Sequence, residues 1–186
     1  LCALLARIGT SAAVEPVTSM QPLIDSFDFA AFGRATARFD AAELAGLNAR
    51  TVHCLDYQAV RDRLPGGIDA HIWTAVRPNL ARVGDAADWL RVIEGPVAVM
   101  ADPGDADFLD AAAAAAAAID WTGDPWAQLT AALKATTGRQ GKALFMPLRR
   151  AVTGQDSGPD MHALLPLIGR DRALDRLRRA AATVHS

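Results

Sequence analysis

Apolar residues return every three or four positions along nearly the whole chain, the spacing that keeps one face of a helix buried. Residues 1–8 read as the end of an amphipathic helix stopped by Gly9, and residues 10–16 as a loop. Ser19 is placed to cap a short helix through Ile24, with Leu23 and Ile24 turned inward. Phe27, Phe29, Phe32 and Phe39 follow no period and are expected to anchor a satellite core around irregular backbone. Asp40 caps a longer helix with Leu44 and Leu47 inside and Asn48, Arg50 and His53 on its outer side. Asp56 caps the next, which buries Val60 and Leu64 and stops at Pro65-Gly66-Gly67.

Ile72, Trp73 and Val76 mark a further helix that runs into Arg77-Pro78, where proline removes a backbone donor. Asp85 starts one that carries Trp89, Leu90 and Ile93 and ends at Gly95-Pro96. Eight alanines, Ala111 to Ala118, continue a helix over 106–119, because alanine is the strongest helix former and its small side chain permits close packing. Asp124 with Pro125 opens another, with Leu129 and Leu133 on its core face. From Gly141 to Leu177 the pattern is helix, turn, helix, turn, helix, with a Gly158-Pro159 elbow. Strand patterning is confined to one short run, Pro96 to Met100. The fold expected is all-α, a helical bundle or superhelical array of two subdomains, divided near residues 65–70.

Charge adds one feature. The segment from Arg139 to the C-terminus holds 9 Lys/Arg against 4 Asp/Glu, while the rest holds 10 against 17. Such an asymmetry favours a polyanion as partner of the basic segment, and a solvated helix face is the alternative. Arg172, Arg176 and Arg179 fall at i, i+4 and i+7, one face of the last helix, with Leu174 and Leu177 opposite. Arg149 and Arg150 close the helix before Gly154. Arginine donates to phosphate in a fork and stacks on bases, so this hairpin suits single-stranded RNA.

No catalytic constellation accompanies it. His53, His71, His162 and His185 are scattered without i, i+4 partners, and no nucleophile elbow, dinucleotide fingerprint or P-loop occurs. Asp102, Asp105, Asp107 and Asp110 lack the Gly and Glu of a calcium loop and are read as charge favourable to a helix N-terminus. Cys2 and Cys54 have no metal-binding spacing, which fits a reduced cytoplasmic protein. No apolar run of membrane-spanning length is present. The first residue, Leu1, falls in mid-helix register with no cap, as expected for a piece of a longer protein. A protein-interaction or structural helical domain that binds no RNA is the competing reading.

The motif G-K-x-L-F-x-P-L-R-x-A-x-T-G over Gly141–Gly154, followed by Gly158-Pro159 and by L-L-P-L-I-G-R-x-R-A-L-x-R-L over Leu164–Leu177, resembles the C-terminus of bacterial glutamyl-tRNA synthetase. R-F-D-x-x-E-L-x-x-L-N over Arg38–Asn48 and the opening L-L-A-R-I-G are similar to earlier segments of that family, so the resemblance runs along the whole chain. It implies a class I synthetase that joins glutamate to tRNA with ATP and magnesium. The catalytic domain would lie before residue 1, so this chain alone is expected to be inactive, to hold no cofactor and to be monomeric. Residues 1–65 would be a stem-contact region and 68–186 an anticodon-binding domain. The resemblance assigns the anticodon end to Arg149, Gly158, Pro159 and Met161. The arginines Arg172 and Arg176 of the basic face complete the expected tRNA-binding set together with Arg77 and Asn79. Some family members carry an arginine after Arg-Pro that discriminates the third anticodon base; here Arg77-Pro78 is followed by Asn79, which implies relaxed discrimination between glutamate and glutamine tRNAs.

Overall fold

The computed structural model describes residues 1–34 and 38–184, and His185 lies outside the described residues. Every regular element among them is helical, so the all-α expectation holds and Pro96–Met100 is loop rather than strand. The chain forms two compact units, Leu1–Ala87 and Asp88–Ser186.

The first unit contains α1 (Cys2–Leu5), α2 (Gln21–Asp25), α3 (Ala41–Cys54), α4 (Tyr57–Val60) and α5 (Ala70–Val76). Ala3, Leu4, Leu23 and Leu47 make one buried cluster, onto which Val14, Val17 and Leu44 pack. Asp40 caps α3 as its sequence predicts, accepting from the Ala42 N–H at 2.7 Å. Asp69 does the same for α5 through Ile72 N–H at 2.8 Å. Several expectations fail here: the N-cap of α2 is Met20 rather than Ser19, and Leu64 is only half-buried, beyond the end of α4. Ile24 is 60% exposed, because α2 spans barely one turn and turns a single side chain, Leu23, inward. Phe27, Phe29, Phe32 and Phe39 are likewise not core anchors. Phe27 meets Phe29 edge to face and Phe32 at a tilt, with ring centroids 5.0 and 5.7 Å apart, while all of them stay open to solvent.

Trp73 is wholly buried, and its indole N–H donates to Leu55 O at 3.0 Å. That carbonyl lies at the C-terminal end of α3 and also accepts from Arg77 Nη1 at 2.8 Å. Two further bonds tie α3 to residues 80–81: Asn48 Nδ2 donates to Ala81 O at 2.7 Å, and His53 Nε2 lies 3.0 Å from Leu80 O. His53 is therefore half-buried rather than on an outer face.

The second unit is built from α6 (Ala86–Glu94), whose first two residues precede the boundary, then α7 (Ala106–Ala118), α8 (Pro125–Thr137), α9 (Lys142–Thr153), α10 (Met161–Ile168) and α11 (Arg170–Val184). The poly-alanine helix α7 packs along α11. Ala112 and Ala116 on α7, and Ala173 and Ala180 on α11, are completely buried, so both surfaces are small enough for close approach. Leu109, Leu129, Leu133, Leu144, Leu148, Leu164, Leu165, Ile168 and Leu177 fill the space around them. Asp124 caps α8 through Ala127 N–H at 3.0 Å, and Gly138 and Gly154 end α8 and α9 in the left-handed conformation. The sequence starts α10 at Gly158-Pro159; the helix begins at Met161, with Asp160 as its cap.

Candidate nucleic-acid interface

The elbow between α9 and α10 is a loop, residues 154–160, fixed at both ends. Thr153 Oγ1 donates to Arg149 O at 2.7 Å and accepts from Gln155 N–H at 3.1 Å, which sets the exit from α9. At its far end Arg149 Nη2 donates to Pro159 O at 2.9 Å. The other terminal nitrogen, Arg149 Nη1, is buried and has no acceptor in the protein. Burial pulls this guanidinium below its ordinary range, and the Asp160 carboxylate opposes that pull. Between these ends Gly158 has φ +148 and lies against the indole of Trp89. Pro159 is buried and Met161 is 2% exposed, so those two side chains shape the loop from inside and do not face solvent.

Beside the elbow lies an open cleft of about 580 Å³. Its walls are Asp88, Trp89 and Arg91 on α6, residues 96–98, Thr153 at the end of α9, and Gly154 and Gln155 of the elbow. The sequence reading missed Trp89 as part of this site. A tryptophan near the start of a helix signals burial, and nothing in its spacing reveals that a glycine far along the chain will meet it.

The basic segment is less free than its charge count implies. Arg139 pairs with Asp105 at 2.5 Å and covers the Phe108 ring at 4.4 Å. Arg150 bridges Asp102 at 2.8 Å and Asp156 at 2.5 Å, and the Asp156 bond raises its already high pKa. Two members of the acidic cluster at 102–110 are thus ion-pair partners of the basic segment. Arg170 donates to Ala117 O at 3.2 Å.

Arg176 requires a correction. The i, i+4, i+7 spacing puts it on one exposed face with Arg172 and Arg179, yet it is 4% exposed. Its guanidinium donates to Val152 O at 2.8 Å and to Val92 O and Gly95 O at 2.7 Å each. Burial depresses its pKa, as does repulsion from Arg172, with Asp175 opposing. A buried guanidinium with carbonyls on both nitrogens cannot reach a phosphate. Arg172 is exposed, donating from Nη1 to Ile168 O at 3.1 Å, and Arg178 and Arg179 are exposed on the same helix.

Arg77 and Asn79 belong to the first unit. Arg77 is half-buried against Leu55 O, with Asp56 at 3.7 Å, while Asn79 is exposed in a single 3-10 turn that Pro78 imposes. Among the described residues no three His, Cys, Asp or Glu side chains converge on a metal-sized point, and no helix is long and apolar enough to cross a membrane.

The family described as "Anticodon binding domain" matches residues 70–181, and the chain belongs to it. It is 61% identical over 182 residues to "Glutamate--tRNA ligase 1" of Rhizorhabdus wittichii, a match covering 98% of this chain and 41% of that protein. It is 57% identical to "Glutamate--tRNA ligase 2" of Sphingopyxis alaskensis, covering 98% of this chain and 42% of that one. The chain thus spans about two fifths of the length of these relatives. The crystal structure of a glutamate tRNA ligase from Elizabethkingia meningosepticum in complex with its amino acid has the same fold, with TM-score 0.75 at 20% identity over 98% of this chain and 41% of that one.

Proposed function

We propose that this chain is the tRNA-binding portion of a glutamate–tRNA ligase and that the elbow at 154–160 meets the anticodon end of the tRNA. The observation that carries the reading is the buried Arg149 Nη1 without an acceptor. A charged donor left unmatched is costly, so an opening of the elbow that lets a base carbonyl or ring nitrogen in to this buried atom would be favoured. Arg172, Arg178 and Arg179 would add contacts to the phosphate backbone. Attachment of glutamate, with ATP and magnesium, would be carried out by a catalytic domain elsewhere in a longer cytoplasmic protein. In this reading residues 1–65 contact the tRNA stem and 68–186 the anticodon arm.

The test is binding of an RNA hairpin copied from the anticodon arm of a glutamate tRNA, followed by fluorescence anisotropy. Arg149→Ala is expected to weaken it by about 1–3 kcal/mol, as for loss of a base-reading arginine. Equal binding by wild type and variant would overturn the assignment of the elbow.

A second reading, a structural helical domain, draws support from the engagement of Arg139, Arg150 and Arg176 within the fold. It expects no hairpin binding even at low salt, where phosphate contacts are strongest.

Asn79 bears on specificity. An exposed amide in place of a guanidinium lacks the forked donor that fixes one base edge. The whole ligase is expected to charge both glutamate and glutamine tRNAs, and failure to charge the glutamine tRNA with a CUG anticodon would refute relaxed discrimination.

A further inference from the structure

Arg176 is embedded where two helices end. Its Nη2 meets the carbonyls of Val92 and Gly95 at 2.7 Å, with Ile93 O at 3.3 Å; these close the C-terminal end of α6. Its Nη1 meets Val152 O at 2.8 Å, next to the last residue of α9. Carbonyls at a helix C-terminus have no partner within the helix and carry its partial negative charge, so one buried cation satisfies two such ends together. The partners join into a closed circuit. Two residues after Val152 the elbow begins, the elbow carries Gly158, Gly158 lies on Trp89, and Trp89 sits on α6, whose end returns to Arg176.

Resting on the RNA-binding reading above, we propose that Arg176 is a positioning residue for RNA recognition. It holds the elbow and its Trp89 brace in register from behind, and so sets where Arg149 stands, without touching the RNA. A planar guanidinium with donors pointing apart spans both helix ends. The compact ammonium of lysine keeps the charge but cannot reach both.

That difference defines the experiment. The full chain and its Arg176→Lys variant are titrated with the same anticodon-arm hairpin across a salt series, well below each melting temperature. The expected result is about a tenfold weaker Kd for Arg176→Lys, the loss of roughly one good contact, with an unchanged salt slope. Adding Arg149→Ala to that variant is expected to cost much less than it costs wild type, because the elbow donor is already displaced. Trp89→Ala, which breaks the circuit at its other side, is expected to give the same signature with Arg176 intact and keeps the test decisive if Arg176→Lys does not fold.

Wild-type affinity in both Arg176→Lys and Trp89→Ala would overturn the proposal. A salt slope smaller by about one in Arg176→Gln would also do so, since that marks a lost phosphate contact. Losses that add fully with Arg149→Ala would reduce Arg176 to general stability. Absence of hairpin binding by the unsubstituted chain would instead refute the RNA-binding reading, a different result from any of these.

Discussion

A Cβ on Gly158 would stand 2.1 Å from Cη2 of Trp89 and 2.6 Å from Cζ2, so the indole occupies the place a side chain would take. The elbow therefore depends on glycine for space, and its φ of +148 requires glycine for conformation as well. Gly158→Ala is expected to destabilise the second unit by about 1–3 kcal/mol, the usual cost of overpacking. Denaturant melts would show it. The penalty is expected to shrink when Trp89 is replaced by Leu, which vacates the ring volume; an equal penalty in both backgrounds would place the strain in the backbone alone.

The contact between α7 and α11 rests on small side chains. Ala112→Leu inserts bulk at a fully buried position, and a loss of about 1–3 kcal/mol is expected. Ala114 belongs to the same alanine run but is exposed, so Ala114→Leu is expected to stay within about 0.5 kcal/mol of wild type. Similar melting of the two variants would contradict the packing assigned to α7.

Asp124 carries a pH signature. Its carboxylate accepts from Ala127 N–H and lies 2.7 Å from His162 Nδ1, and these bonds, the backbone one foremost, hold its pKa below the ordinary aspartate value. A group with a depressed folded pKa stabilises the fold above its unfolded value, about 3.9, and loses that contribution as pH falls through the folded one. Asn also caps helices but does not titrate. Asp124→Asn is therefore expected to melt below wild type at pH 5 to 6, with the gap closing as the pH drops under about 4. A gap that does not change with pH would leave the carboxylate without this role.

Much of the fold was legible because its signals are local. Asp40 and Asp124 cap helices by reaching their own backbone two or three residues ahead, and Gly138 and Gly154 end helices through a conformation that glycine adopts cheaply. The failures have a common origin. Phe29 is 84% exposed although its side chain is as apolar as any in the core, since residue type without a helical period does not say which way a side chain turns and this segment has no period. Arg176 is buried although arginine at i+4 from another arginine reads as a wet face. Its partners lie 24 to 84 residues away, beyond any spacing rule.

By itself, then, the sequence determined the helical class, most of the helices with several of their caps and stops, the basic bias of the last segment and the motif that resembles a synthetase C-terminus. All of these follow from interactions within a few residues or from residue identity alone. Only the tertiary structure decided what each of these basic groups meets. Arg149 keeps one nitrogen without an acceptor, Arg150 is taken by two aspartates, and Arg176 is enclosed by carbonyls of two helix ends. The reason is that a guanidinium serves a helix end inside the fold as readily as it serves a phosphate outside it. Which of these it meets depends on what packing brings within 3 Å, and that is not written in the local pattern.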